Sequence, residues 1–151
     1  MIKKIVLWIL VVFWMGLIFY FSSFNRIEST EQSQGFLYKT LGNVIEIIKP
    51  NISEVDKEEL IIELDPIVRK IAHASEFFVL SILIYFLLKQ YNIKKIYIIT
   101  LLLCFLYASS DEIHQLFVLN RSAQIIDVFI DTCGSLLSLI IIYIGGMIIC
   151  K

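Results

Sequence analysis

Four long apolar runs constrain this chain more than any other feature of its sequence. Three of them, 5–21, 96–110 and 132–150, contain no charged residue, and the fourth, 71–88, contains only one histidine and one glutamate, both near its start. A helix needs about 20 mostly apolar residues to cross the hydrocarbon core of a bilayer. The runs therefore predict an all-α integral membrane protein in one domain, 1–151, with four transmembrane helices near 4–24, 66–88, 95–115 and 124–149.

The segment between the first two predicted spans, 28–64, also favours helix. Its first half repeats apolar residues at helical spacing until Pro50, and its second half starts at Ser53 with acidic residues in the first turn. We expect short amphipathic helices that lie on the membrane surface or cap the bundle; the alternative is a solvated connector with some helix. Asp65 followed by Pro66 is a typical helix start, so the second span is predicted to begin there.

Charge is distributed unevenly between the two ends of the predicted bundle. The end that holds both termini has six lysines and no acid, whereas all fourteen acids fall toward the opposite end, which we call the polar end. Three of the lysines crowd the short loop near 89–95. Because cytoplasmic loops are rich in lysine and arginine, we predict cytoplasmic termini and a polar end outside the cell, with the reversed topology as the alternative.

Most ionisable side chains within the predicted spans lie close to the polar end of their helix. In an antiparallel four-span bundle those ends meet in one layer, so residues far apart in sequence are expected to line a common site. We predict catalytic roles for Lys70, His73, Glu76, Asp111, Glu112, Gln115 and Asp127, and binding roles for Ser22, Ser23, Arg69, His114, Arg121 and Asp131.

The residue types in this layer are compatible with three kinds of role. An imidazole beside a carboxylate can transfer protons while lysine and arginine hold a phosphate or carboxylate. Carboxylates and histidines at helical spacing can instead hold a divalent metal ion as a cofactor. The third role is a network of buried ion pairs and hydrogen bonds that locks the four helices together. The spacing leaves all three open.

A string of motifs runs through the polar layer. It consists of Phe21-Ser22-Ser23, Arg69-Lys70-x-x-His73-x-x-Glu76, Asp111-Glu112-Ile113-His114-Gln115-x-Phe117-Val118, Arg121 and Asp127-Val128. Together these motifs resemble the VanZ-like family over most of the chain, most weakly in 27–64. The chain departs from the family at 119–120, where Leu-Asn replaces a frequent Pro-Gly, and at Asp131, where the family often has asparagine.

The resemblance implies a small four-span protein of the bacterial cell membrane, in a family with members linked to resistance against teicoplanin and related lipoglycopeptides. We expect an outward-facing polar site that binds or modifies the anionic head of a lipid-linked envelope component. The expected partners are membrane lipids and either lipid-linked cell-wall intermediates or a lipoglycopeptide, with no nucleic acid among them. The alternative is a non-enzymatic binding or envelope-organising protein whose buried charges serve structure or recognition.

Overall fold

The computed structural model describes residues 1–24, 26–48 and 52–149, and within these ranges the chain forms five helices and no strand. The helices are α1 (Ile2–Ser22), α2 (Arg26–Ile48), α3 (Glu54–Lys89), α4 (Ile96–Gln115) and α5 (Ile125–Ile149). The predicted all-α class is confirmed, and so is a helix between the first two spans. The helix stop that we predicted at Pro50 lies outside the described residues.

Four of these helices are long and apolar enough to cross a bilayer: α1, α3, α4 and the part of α5 at Ile125–Met147. Many of their large apolar side chains point away from the bundle; Ile9, Leu102 and Leu137, for example, are each more than half exposed. Exposed apolar surface on this scale is unfavourable in water and favourable among lipid tails. The chain is therefore a multi-pass membrane protein.

Helix α3 is the centre of the bundle, since it packs against α1, α2, α4 and α5. Its buried side chains Phe77 and Leu80 belong to an apolar core that also includes Ile18 of α1 and Cys104 and Ala108 of α4. Lipid tails are as apolar as these side chains, so close packing rather than transfer out of water stabilises the contacts between the helices.

Helices α3 and α5 approach each other closely along a row of small residues. A Cβ atom at Gly134 would lie 2.8 Å from the carbonyl carbon of Ala74, closer than real Cβ contacts. Further along, Ser138 shares a hydrogen bond with Ser81, and the Ser135 hydroxyl donates to the α3 backbone at 3.2 Å. Small residues at a helix interface allow the two backbones to approach this closely.

Helix α3 is longer than the sequence predicted, because it runs without interruption through Pro66. Its start is capped by Ser53, whose hydroxyl accepts a hydrogen bond from the backbone N–H of Asp56 at 3.1 Å. The predicted helix start at Asp65-Pro66 is therefore wrong, whereas the position at which the span itself begins stays a prediction. Asp65 does not cap a helix; it is buried and bonded to Ser33 of α2, and such tertiary contacts stabilise a helix that lacks the one hydrogen bond a proline cannot donate.

Helix α2 packs against the N-terminal part of α3, which extends α3 beyond the length that a bilayer core requires. With 36 residues α3 is about 54 Å long, against about 30 Å for a hydrocarbon core. α2 buries Leu37 and Ile45, and its Tyr38 hydroxyl donates to the Glu54 carboxylate of α3 at 2.7 Å. Within the described ranges α3 is the only helix that α2 contacts, so α2 forms a helical cap on that extension.

Replacing Gly134 with alanine should destabilise the bundle, because the added methyl group overlaps the Ala74 backbone and forces α5 away from α3. We expect a loss of about 1–3 kcal/mol, as is typical of overpacking, measured as a lower midpoint of thermal unfolding in detergent. Gly145→Ala is the matched control, since a Cβ there meets no atom within 4 Å. Equal midpoints for the two variants would contradict the close approach.

Candidate functional site

A cavity of about 300 Å³ lies between α3, α4 and α5 at the polar end of the bundle, and we refer to it as the polar cavity. The residues that line it come from three helices and the α4–α5 loop, as expected for helix ends that meet in one layer. Their individual roles remain predictions. The predicted site residues among them are Arg69, Lys70, His73, Glu112, Gln115, Arg121, Asp127 and Asp131.

An ion pair joins α3 to α5 beside the polar cavity. The ammonium of Lys70 lies 2.8 Å from Oδ1 of Asp127, and the two side chains are 39% and 29% exposed. Partly exposed ion pairs contribute little net stability, about 0–1 kcal/mol. The pair therefore joins α3 to α5 only weakly, and both side chains keep exposed surface.

Arg69 is held in position by its own helix and by α2. Its guanidinium lies 2.9 Å from the Asp65 carboxylate and donates to the Thr30 hydroxyl, also at 2.9 Å. Asp65 accepts a further hydrogen bond from Ser33 of α2. The charge of Arg69 is thus fixed beside the cavity before any ligand arrives. Sequence reasoning missed these partners, although Asp65 stands one helical turn before Arg69, a spacing that brings side chains together.

His73 and Glu76 stand three residues apart on α3 without a hydrogen bond between them. Nδ1 of His73 is 3.6 Å from Oε2 of Glu76, which exceeds hydrogen-bond length. That carboxylate oxygen is buried, and in the part of the chain that the structure describes it has no hydrogen-bond partner. His73 lines the polar cavity, so a ligand there can reach the imidazole directly.

Ser22, Asp111 and Gln115 form a hydrogen-bonded cluster between α1 and α4, in which Oδ1 of Asp111 has no hydrogen-bond partner among the described residues. The serine hydroxyl donates to Oδ2 of Asp111 at 2.8 Å and accepts from Nε2 of Gln115 at 2.8 Å, while the same amide nitrogen donates to Oδ2 of Asp111 at 3.1 Å. All three residues are buried, and Ser22 has no exposed surface. This geometry suits a tie between two helices better than a nucleophile and its base.

Two further acids of the polar cavity are buried in different ways. Glu112 accepts a hydrogen bond from the backbone N–H of Gln124 at 2.8 Å, which fixes the loop just before α5. Asp131 is 2% exposed, and its Oδ1 has no hydrogen-bond partner among the residues described. An unpaired buried carboxylate oxygen is costly, so a hydrogen-bond donor placed in the cavity would stabilise Asp131.

Ser23 and His114 were predicted as binding residues, but neither lines the polar cavity. Ser23 is exposed, and its hydroxyl donates to the Phe19 carbonyl at 2.6 Å. The His114 ring stacks on the Phe19 ring, with centroids 3.8 Å apart. Both residues therefore contact the end of α1 rather than the converging charges.

A divalent metal ion was one predicted occupant of the polar layer. Over 1–24, 26–48 and 52–149, no three histidine, cysteine, aspartate or glutamate side chains are grouped so as to hold one. Several of the carboxylates contact bases, a hydroxyl or the backbone instead, their partners being Arg69, Lys70, Ser22 and the N–H of Gln124.

A second cavity, of about 270 Å³, adjoins the first between α1, α2 and α3. We call it the aromatic cavity because Phe21 and Phe24 from the end of α1 and Phe36 from α2 line it. Sequence reasoning missed these phenylalanines, since isolated aromatic residues near a membrane surface are common and only the packing of α2 on α3 brings these together. The residues common to both cavities are Arg69, His73 and Arg121.

Nearly the whole chain matches one known protein family. The model of the family described as VanZ/LLP1 matches residues 7–148, so the chain belongs to the VanZ/LLP1 family. The match confirms the resemblance that the motifs of the polar layer indicated. No curated protein and no solved structure matches the chain.

The buried cluster of α1 and α4 should contribute to stability. Ser22→Ala removes the hydroxyl that both Asp111 and Gln115 contact, so we expect a loss of about 1–3 kcal/mol, the usual effect of leaving a buried polar group without its partner. Thermal unfolding of the purified protein in detergent measures the loss. Ser23→Ala is the matched control, because Ser23 is exposed and substitutions there should change stability by less than about 0.5 kcal/mol.

Proposed function

We propose that this member of the VanZ/LLP1 family binds the anionic head group of a membrane amphiphile in the polar cavity. The observation that carries the proposal is a space of about 300 Å³ lined by three basic side chains, Arg69, Lys70 and Arg121. Guanidinium and ammonium groups are the usual partners of phosphate and carboxylate. The volume is at the lower limit of ordinary ligand pockets, which suits a head group rather than a whole lipid.

The basic residues have complementary tasks in such a site. Arg69, held by Asp65 and Thr30, supplies a charge whose position is already fixed, so little conformational entropy is lost on binding. Lys70, paired with Asp127, supplies a charge that changes partner when the anion arrives. The ligand then replaces one carboxylate of the protein rather than demanding a new charge within the membrane.

Binding of a head group has more support than its chemical modification. Of the residues predicted to be catalytic, Asp111 and Gln115 are occupied in the buried cluster with Ser22, and Glu112 holds the loop before α5. His73 is the residue best suited to move a proton, because its imidazole lines the polar cavity. Modification of the bound head group therefore depends on His73, whereas binding does not.

A structural network is the second candidate, and the contacts between helices favour it. The Lys70–Asp127 pair joins α3 to α5, and Ser22 with Asp111 joins α1 to α4. In that case the polar layer locks the bundle together and needs no ligand. The two candidates differ in what happens to ligand affinity when one member of the Lys70–Asp127 pair is removed.

The proposed partners are phosphate-bearing lipids of the cell envelope, including lipid-linked cell-wall intermediates. The resemblance to proteins linked with teicoplanin resistance motivates that choice, because a protein that holds a lipid-linked intermediate can alter its exposure to a lipoglycopeptide. The proposal locates the polar cavity on the outer side of a bacterial cell membrane, with both termini in the cytoplasm. Its support is the crowding of lysines near 89–95 at the opposite end.

Opposite effects of two substitutions at one ion pair test the binding proposal. Lys70→Ala should weaken binding of a fluorescent phosphatidic acid to the purified protein about tenfold or more, because a charge-assisted contact is lost. Asp127→Asn should strengthen the same binding, since it frees Lys70 from its competing carboxylate. Fluorescence polarisation in detergent measures both affinities, and a diacylglycerol with the same chains controls for the phosphate.

Lys94→Ala is the control variant for that pair, because Lys94 is exposed at the end of the bundle away from the cavity. It should leave the affinity unchanged. If Lys70→Ala and Asp127→Asn both lower the unfolding midpoint and neither alters the affinity, the structural network is correct and the binding proposal is wrong.

Accessibility of single cysteines tests the proposed orientation. In a variant without the native cysteines, Ser122→Cys in the exposed α4–α5 loop should react with a membrane-impermeant maleimide on intact cells. Ile2→Cys, exposed at the start of α1, should react only after the membrane is permeabilised. The reverse pattern would show that the polar cavity faces the cytoplasm.

A further inference from the structure

The aromatic cavity has a lining unlike that of the polar cavity. Phe21, Phe24 and Phe36 supply most of its aromatic surface, with Val68 and Ala72 of α3 beside them. None of these five residues belongs to the predicted site. Polar side chains, among them Glu76, complete the lining, but the five apolar residues form a continuous part of it. A largely apolar space beside a charged one is the arrangement that an amphiphile requires.

Three charged or titratable side chains separate the two spaces and belong to both. Arg69, His73 and Arg121 line the polar cavity on one side and the aromatic cavity on the other. A phosphate held by the two guanidinium groups would therefore stand between the spaces. Whatever is covalently attached to that phosphate can extend into the aromatic cavity.

The phenylalanines of this cavity have surface left to bury. Phe36 is 60% exposed and Phe21 is 46% exposed. Contact with a hydrocarbon chain would cover this surface and add close packing, both of which favour binding. A water-soluble phosphate compound would leave the same surface uncovered.

Hydrogen bonds between α2 and α3 fix the wall of the aromatic cavity that α2 provides. Ser33 of α2 bonds to Asp65 of α3, and Thr30 of α2 accepts a hydrogen bond from Arg69. These bonds hold the wall that carries Phe36 at a defined position relative to the two arginines. The chain-binding and head-binding surfaces are thus fixed to the same part of α3.

From these observations we infer that the aromatic cavity binds the proximal hydrocarbon chain of a phosphate-headed membrane lipid whose head group occupies the polar cavity. The inference rests on the proposed function and adds the location of the hydrocarbon chain. The phosphate of the lipid lies at Arg69 and Arg121, which line both cavities. Soluble phosphates are therefore poor ligands.

Binding of dioleoyl phosphatidic acid and of glycerol 3-phosphate to the purified full-length protein in detergent tests the inference. The lipid should bind at least about tenfold more tightly than the soluble phosphate. Phe36→Ala should weaken lipid binding about tenfold and leave binding of glycerol 3-phosphate unchanged. Phe13→Ala is the matched control, because Phe13 is also 60% exposed, on α1, and lines neither cavity.

Each result separates this inference from the proposed function. Equal affinities for the lipid and the soluble phosphate, or equal effects of Phe36→Ala and Phe13→Ala, would overturn the chain site while leaving the head-group site intact. Diacylglycerol binding as tightly as phosphatidic acid would overturn the head-group function. A loss confined to Phe36→Ala, with both variants unfolding at the same temperature as the unaltered protein, supports the chain site.

Discussion

Burial of charge in an apolar protein is the constraint on which the rest of this structure depends. Lipid tails offer no hydrogen bonds, so carboxylates at the polar end need partners from the chain itself. Asp111 has Ser22 of α1 as its partner, and Asp127 has Lys70 of α3. In both cases the partner belongs to another helix. Each of these polar contacts therefore also joins two helices. A substitution that removes one of the polar groups would also weaken the packing of the bundle.

The continuous helix α3 links that constraint to the candidate site. Because α3 passes through Pro66, its N-terminal part extends as one rod on which α2 can pack. Asp65 and Arg69 lie on this rod and bond to Ser33 and Thr30 of α2. A helix that began at Pro66 would leave Asp65 at its end and free to cap it, and Arg69 would lose the buried carboxylate that positions it. The same continuity gives α2 its place beside the end of α1.

The polar groups divide into those that are satisfied internally and those that can respond to a ligand. The Ser22 hydroxyl and the amide nitrogen of Gln115 are bonded within the buried cluster. Lys70 is partly exposed, and Asp131 is buried with an oxygen that lacks a partner among the described residues. Polar groups that have partners within the chain stabilise the fold. A buried polar group without a partner is unfavourable, and a ligand that supplied a partner would remove that cost. Under the proposed function, the first set of groups holds the helices together and the second set contacts the ligand.

The sequence by itself determined the four spans, the helix between the first two and the gathering of ionisable residues at one end, because hydropathy and helix direction can be read locally along the chain. Only the tertiary structure decided that Asp111 pairs with Ser22, that His114 turns to Phe19, and that the phenylalanines of α1 and α2 form a second cavity. These outcomes depend on how each helix is rotated and packed about its axis. Contacts between segments distant in sequence determine that rotation, for example the close contact between Gly134 of α5 and the Ala74 backbone of α3. The local pattern of residues along one helix does not contain this information.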